Sequence, residues 1–146
     1  MNDPQITRSS AVAADVMTSY PFAVQVETVL SDAVAVMLQH VVRHLPVVDV
    51  TSTLVGILSD RDVRTAVGDP AVFVHDRTGS LAGYRVGDIM TRGTATVRFD
   101  TPIGELARRL ADEHLGALPV TDQFGALIGI VSYVDVLHAL APAPGP

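Results

Sequence analysis

The 146-residue chain has no cysteine, no tryptophan and no lysine. Without cysteine there are no disulfides, no thiolate metal sites and no cysteine nucleophile. Without lysine every basic residue is an arginine, and the formal net charge is −6 at pH 7. That balance offers no basic stripe to neutralise a phosphate backbone, so nucleic acid is not expected as a partner. The arginine-only usage, beside abundant alanine, valine, aspartate and glycine, reads as genome composition. No stretch of about 18 uncharged apolar residues occurs, so no transmembrane helix and no membrane partner are expected. Residues 1–10 are polar and lack the apolar core of a signal peptide, which makes a cytoplasmic protein the expectation. His40, His44, His75, His114 and His138 show no metal-ligand spacing, so no metal site is expected. No Ser-His-Asp arrangement and no glycine-rich phosphate loop can be read, so no catalytic residues and no enzyme activity are expected.

What the chain has is apolar content, 48% of it, enough to bury about two-thirds of its unfolded surface. It also has a repeat. An offset of 73 positions lays residues 15–67 on 88–140 without a gap. Val16-Met17-Thr18 falls on Ile89-Met90-Thr91, and Thr28 on Thr101. Leu45-Pro46-Val47-Val48-Asp49 falls on Leu118-Pro119-Val120-Thr121-Asp122. Gly56-Ile57-Leu58-Ser59-Asp60-Arg61-Asp62 falls on Gly129-Ile130-Val131-Ser132-Tyr133-Val134-Asp135. Matched Gly, Pro, Ser and Asp between matched apolar runs mark a tandem duplication.

Each copy reads in one order. A short helical turn ends at the Met-Thr pair, and a strand follows at 22–26 or 96–99. A helix of about a dozen residues comes next, with Thr28 or Thr101 as its N-cap and Pro102 at the first helical position. It stops before Leu-Pro, because a residue preceding proline avoids helical geometry. Strands at 45–50 and 54–58, and at 117–121 and 126–131, are joined by hairpin-length turns. A second helix starts after Ser59 and after Ser132. The expected fold is α/β (α+β): two β-α-β-β-α repeats, each too small to close its own core comfortably, packed with pseudo-twofold symmetry. The expected boundaries are 10–67 for the first copy, 68–83 for a linker, 84–141 for the second and 142–146 for a flexible tail. Within the linker, 71–74 is apolar and suited to packing locally.

The strand ends carry the chemistry. Glycine at 56 and 129 leaves room for a ligand near the backbone. Ser59 and Ser132 stand where a strand yields to a helix, whose first N–H groups favour an anion. Asp62 and Asp135, in the first turn, gain from the same dipole, and a carboxylate accepts two hydrogen bonds from a vicinal diol such as a ribose. A second reading is purely structural: Ser and Asp three apart form a capping box. Both stand at this point.

The order of these motifs, twice in one chain, resembles a tandem pair of cystathionine β-synthase (CBS) domains, a Bateman module, over roughly residues 10–140. The resemblance implies a stand-alone regulatory module that senses adenosine-containing ligands (AMP, ADP, ATP, S-adenosylmethionine or NAD) in clefts between the repeats and signals to an unknown effector protein. No cofactor is required; the nucleotide is the regulatory ligand. It further implies a homodimer. By this resemblance Gly56, Ser59, Asp62 and Pro46, with Gly129, Ser132, Asp135 and Pro119, belong to nucleotide sites. Ala23, within Tyr20-Pro21-Phe22-Ala23-Val24, and Ala95, within Gly93-Thr94-Ala95-Thr96-Val97, lie in segments that wall the base, while Val24 and Val97 read as core. Nucleotide-binding members use basic residues just before the Leu-Pro pair to contact phosphates, which points to Arg43 and His44, joined by Arg61. The second copy has Gly116, Ala117 and Val134 at those places, so the first is expected to grip the more phosphorylated ligand. The first-copy helix carries Ala33-Val34-Ala35-Val36-Met37-Leu38, apolar on every face, whereas its counterpart has Arg108 and Arg109 at two of those positions; 33–41 is expected in a homodimer interface as well as the core. The rival readings are a protein-interaction or structural module with vestigial nucleotide sites, and a nucleic-acid-binding relative, which the net charge disfavours.

Overall fold

A computed structural model describes residues 10–69 and 83–141. The greater part of the expected linker, including 71–74 and His75, and the tail 142–146 lie outside the described residues. In chain order the elements are α1 (Ala13–Val16), β1 (Thr18–Ser19), β2 (Val24–Gln25), α2 (Leu30–His40), β3 (His44–Val48), β4 (Leu54–Ser59) and α3 (Asp60–Val67). The second copy follows with α4 (Val86–Ile89), β5 (Thr91–Arg92), β6 (Val97–Arg98), α5 (Ile103–Asp112), β7 (Ala117–Thr121), β8 (Leu127–Ser132) and α6 (Tyr133–Leu140).

The strands form two four-stranded mixed sheets, in the orders β2-β3-β4-β5 and β1-β8-β7-β6. The compact units cut across the repeats. One unit spans Pro21–Thr94, and the other joins the chain up to Tyr20 with the chain from Ala95 onward. The opening helix and strand of each copy thus complete the sheet built from the other copy's strands. β1 pairs antiparallel with β8, Thr18 opposite Ile130, and β5 pairs with β4, Arg92 opposite Gly56.

Each unit closes a core of its own, and does so with residues from both copies. In the first, Leu30, Ala33, Val34 and Met37 on α2 meet Leu45, Val47, Leu58, Val63, Val86 and Met90. In the second, Ile103, Leu106 and Leu110 on α5 meet Leu118, Val120, Val131 and Val136, with Ala13 supplied by α1. Val86, Met90 and Ala13 come from the exchanged segments, which is how a small unit reaches sufficient apolar burial. Truncating one of the fully buried leucines to alanine costs about 2–5 kcal/mol in such a core.

Two local expectations need correction. Thr28 and Thr101 do not cap the long helices; the residues flanking them are Val29 and Pro102, with no side-chain cap. Each hydroxyl instead closes the turn behind it, accepting from the Gln25 N–H at 3.0 Å and the Arg98 N–H at 3.1 Å. The strands before them are also shorter than expected, two residues each, because the turn closed by the threonine ends the pairing early. The aspartates after Leu-Pro build the hairpin turns. Asp49 Oδ1 accepts from the backbone N–H of Thr51 and Thr53 at 2.8 and 3.0 Å, and Asp122 Oδ1 from Phe124 and Ala126 at 2.8 and 2.9 Å, the local bonding that favours Asp in turns.

Of the apolar run 33–38, α2 buries Ala33, Val34 and Met37 and leaves Ala35 and Leu38 exposed. The residue ending it, Val41, adopts the left-handed conformation (φ 55°, ψ 47°) and is 89% exposed.

Candidate functional site

Strand β4 ends at Ser59, where the backbone turns from extended into α3. Ser59 Oγ accepts from the Asp62 N–H at 2.9 Å, and Asp62 Oδ2 accepts from the Ser59 N–H at 3.0 Å. The same pair closes α6: Ser132 Oγ accepts from Asp135 N–H at 3.2 Å, and Asp135 Oδ2 from Ser132 N–H at 2.8 Å. The capping box is therefore real in both units. It uses one oxygen of each carboxylate, and Oδ1 of Asp62 and of Asp135 has no hydrogen-bond partner among the described residues. Both carboxylates are half-buried, so a preorganised, unspent acceptor stands at each strand end.

In the first unit, the antiparallel register places His44 opposite Ser59. The Arg43 carbonyl accepts the Asp60 N–H at 2.8 Å, which ties the start of β3 to the start of α3. Arg43, His44, Ser59, Arg61 and Asp62 are thus gathered at one end of the sheet. Burial lowers the His44 pKa from its ordinary 6.5, opposed by the nearby charge of Asp62 and of Asp60 and aided by Arg43. An imidazole in its neutral form can donate one hydrogen bond to a ligand but adds no charge. The cations at this end are Arg43 and Arg61, both exposed and neither in an ion pair among the described residues.

In the second unit Ala117, buried, faces Ser132. The Gly116 carbonyl accepts from the Tyr133 N–H at 3.2 Å, and Tyr133 and Val134 are exposed in place of Asp60 and Arg61. The second strand end keeps the hydroxyl and carboxylate and has no arginine in its motif.

The glycines have a different use from the one expected. A Cβ on Gly56 would collide with the Thr91 carbonyl oxygen, and one on Gly129 would collide with Met17 Sδ and come within 3.1 Å of the Thr18 carbonyl. The close approach that each glycine admits is taken by the exchanged segment of its own unit. Pro46 and Pro119 are buried in β3 and β7. Val24 and Val97 are buried core, while Ala23 is exposed and Ala95 packs partly against the second core.

Sequence reasoning missed three groups. Met17 and Met90, read only as helix ends, cover the two glycines; the recurrence of Met-Thr with Gly in both copies was the available signal. Phe22 stacks on His40, and Arg109 bonds the Thr96 carbonyl; neither pair has a recognisable spacing. Among the described residues no three metal-ligating side chains cluster, and no helix is long and apolar enough to cross a membrane.

A family model for the CBS domain matches residues 12–69 and 86–142. A CBS domain-containing protein of Dictyostelium discoideum is 33% identical over 126 residues, covering 85% of this chain and 87% of that protein. A homoserine O-acetyltransferase of Methanococcoides burtonii is 33% identical over 123 residues, but the chain spans 23% of its length. Among solved structures, CBSX2 of Arabidopsis thaliana superimposes with a TM-score of 0.77 at 32% identity, covering 89% of this chain and 94% of that one. CBSX2 in complex with AMP gives 0.73 at 33% identity, covering 88% and 94%.

Proposed function

The chain belongs to the CBS domain family, with two copies of the domain, and on that footing we propose that it is a regulatory module that binds adenosine nucleotides and signals their presence to an effector protein. The observation that carries this reading is the half-used carboxylate at both strand ends. Asp62 and Asp135 are each oriented by a capping box through Oδ2, leaving Oδ1 to accept from a ribose diol. The likeness to CBSX2, whose structure holds AMP, supports adenosine as the nucleoside. In this reading Ser59, Ser132 and the backbone beside Pro46 and Pro119 frame the ribose, and the segments with Ala23 and Ala95 wall the base. Arg43 and Arg61 contact phosphates with His44 donating beside them, so the first strand end takes the more phosphorylated, more salt-sensitive ligand.

The exposed apolar residues of α2, Ala35 and Leu38, with Val41 beyond it, support a homodimer contact; light scattering at micromolar concentration tests it, and a monomeric mass counts against it.

Calorimetry with AMP, ADP, ATP, S-adenosylmethionine and NAD tests the nucleotide reading. A ligand at 100 times its dissociation constant adds about 2.7 kcal/mol to stability, visible as a thermal shift. A flat panel at millimolar nucleotide would instead favour an interaction module with vestigial sites. Titrating D62A and D135A separately tests the asymmetry: D62A should lose ATP affinity more than D135A, and equal losses refute it.

A further inference from the structure

Two contacts that belong to neither cap nor core occupy matching places in the two units. In one, Phe22, just before β2, stacks on His40, the last residue of α2, with ring centroids 3.8 Å apart and planes 19° from parallel. In the other, Arg109 on α5 donates from Nη1 to the carbonyl oxygen of Thr96, just before β6, at 2.8 Å. Its Nε is held by Glu113, the residue ending α5, at 3.3 Å. Under the offset of 73, His40 falls on Glu113, Phe22 on Ala95, Ala23 on Thr96, and Val36 on Arg109. The last turn of the long helix therefore holds the same short segment in both units, once through a ring pair and once through a guanidinium.

The held segment is the one read above as the wall of the base site. It is weakly secured otherwise, because β2 and β6 begin only at Val24 and Val97 and are two residues long. Backbone with so little ladder opens at low free energy, and a ligand that needs it ordered loses that ordering cost from its affinity. Fixing the segment beforehand removes the loss.

We propose that Arg109, steadied by Glu113, is a positioning residue that orders the wall segment at Ala95 and Thr96 for a bound nucleotide, and that the Phe22–His40 stack does the same for Phe22 and Ala23. The proposal rests on the nucleotide reading of the preceding section. Arg109 acts through the Thr96 carbonyl and need not touch the ligand.

The test uses the full chain with AMP as probe and the variants R109M, R109K and F22L. Methionine keeps the aliphatic stem; lysine keeps the stem and a donor for the carbonyl. Amide exchange at Ala95, Thr96 and Val97 without nucleotide reads the tether itself. AMP titration followed at the Gly129 and Gly56 amides reads each unit separately. In R109M, exchange at those three amides should rise about tenfold and AMP affinity at the Gly129 reporter should fall about tenfold, the scale of one charge-assisted hydrogen bond. The Gly56 reporter should be unmoved, R109K should recover most of both effects, and F22L should weaken AMP binding at the Gly56 reporter instead. Faster exchange in R109M with unchanged AMP affinity overturns the proposal and leaves the nucleotide reading intact. An equal fall at both reporters, or equal loss in R109K and R109M, also overturns it, as general loosening of the fold. No AMP response in the wild-type chain overturns both.

Discussion

Val41 ends α2 in a conformation that a β-branched residue rarely adopts, with φ 55° and ψ 47°. The geometry is held by the chain around it: the Val42 N–H bonds the Met37 carbonyl at 3.0 Å, which forces the intervening residue into the left-handed region. For an L-residue with a Cβ that conformation costs about 1–2 kcal/mol, and the side chain recovers nothing by burial because it is 89% exposed. Glycine removes the steric cost but adds about 0.5–1 kcal/mol of backbone entropy loss on folding. The difference leaves V41G more stable by about 0.5–1 kcal/mol. At the matching position His114 has φ 53°, and histidine tolerates this region better than valine, so H114G should gain less. Urea denaturation followed by circular dichroism, at a protein concentration below any self-association, measures both through the midpoint at constant slope. A destabilised V41G, or an H114G gain larger than that of V41G, would refute the argument that the Cβ strain dominates here.

Three further outcomes follow from the packing around the strand ends. Burial lowers the His44 pKa below 6.5, so the unfolded chain binds its proton more tightly than the folded one; stability is full above 6.5 and falls as the pH drops through the lowered value. Denaturation midpoints of H44Q should lack that portion of the acid decline, and identical profiles would rule out His44 as its source. G56A places a methyl group against the Thr91 backbone and should cost about 1–3 kcal/mol. G104A, whose Cβ meets nothing within 4 Å on α5, should stabilise by about 0.5–1 kcal/mol; thermal melts of the two variants should move in opposite directions. S132A removes the acceptor for the Asp135 N–H and should cost about 1 kcal/mol by chemical denaturation, with S59A similar; a neutral result in both would mean the caps are replaced by solvent.

Much of the fold and part of the candidate site were legible before any coordinates. The gapless duplication, the order of the expected elements and the start of the second helix in each copy all hold; the two-residue strands β1 and β5 at the Met-Thr pairs are additions to that order. The Ser-Asp pairs were readable as caps because three-residue spacing at a helix start settles which N–H each side chain meets, and no distant residue can alter it. Val24 and Val97, read as core, are buried. The N-caps at Thr28 and Thr101 were misread for a related reason. A hydroxyl near a helix start has more than one backbone N–H within reach, and the turn behind it offered a bond that the helix did not.

The sequence alone determined this protein's repeat, and with it the Ser-Asp caps, the Asp-built turns and the carboxylates at its strand ends, whose contacts lie within a few residues. Tertiary structure alone decided which strand β1 and β5 would join. A two-residue strand has no pattern that names a partner, and the pairing of Thr18 with Ile130 or Arg92 with Gly56 depends on packing across the unit. The same exchange decided what the two glycines are for, since the group that fills the space beside Gly56 is the Thr91 backbone. It also took the folded chain to lower the His44 pKa beside Asp62 and to bring Arg109 onto the Thr96 carbonyl. Burial and charge proximity are sums over residues distant in sequence, and no spacing rule in the chain encodes them.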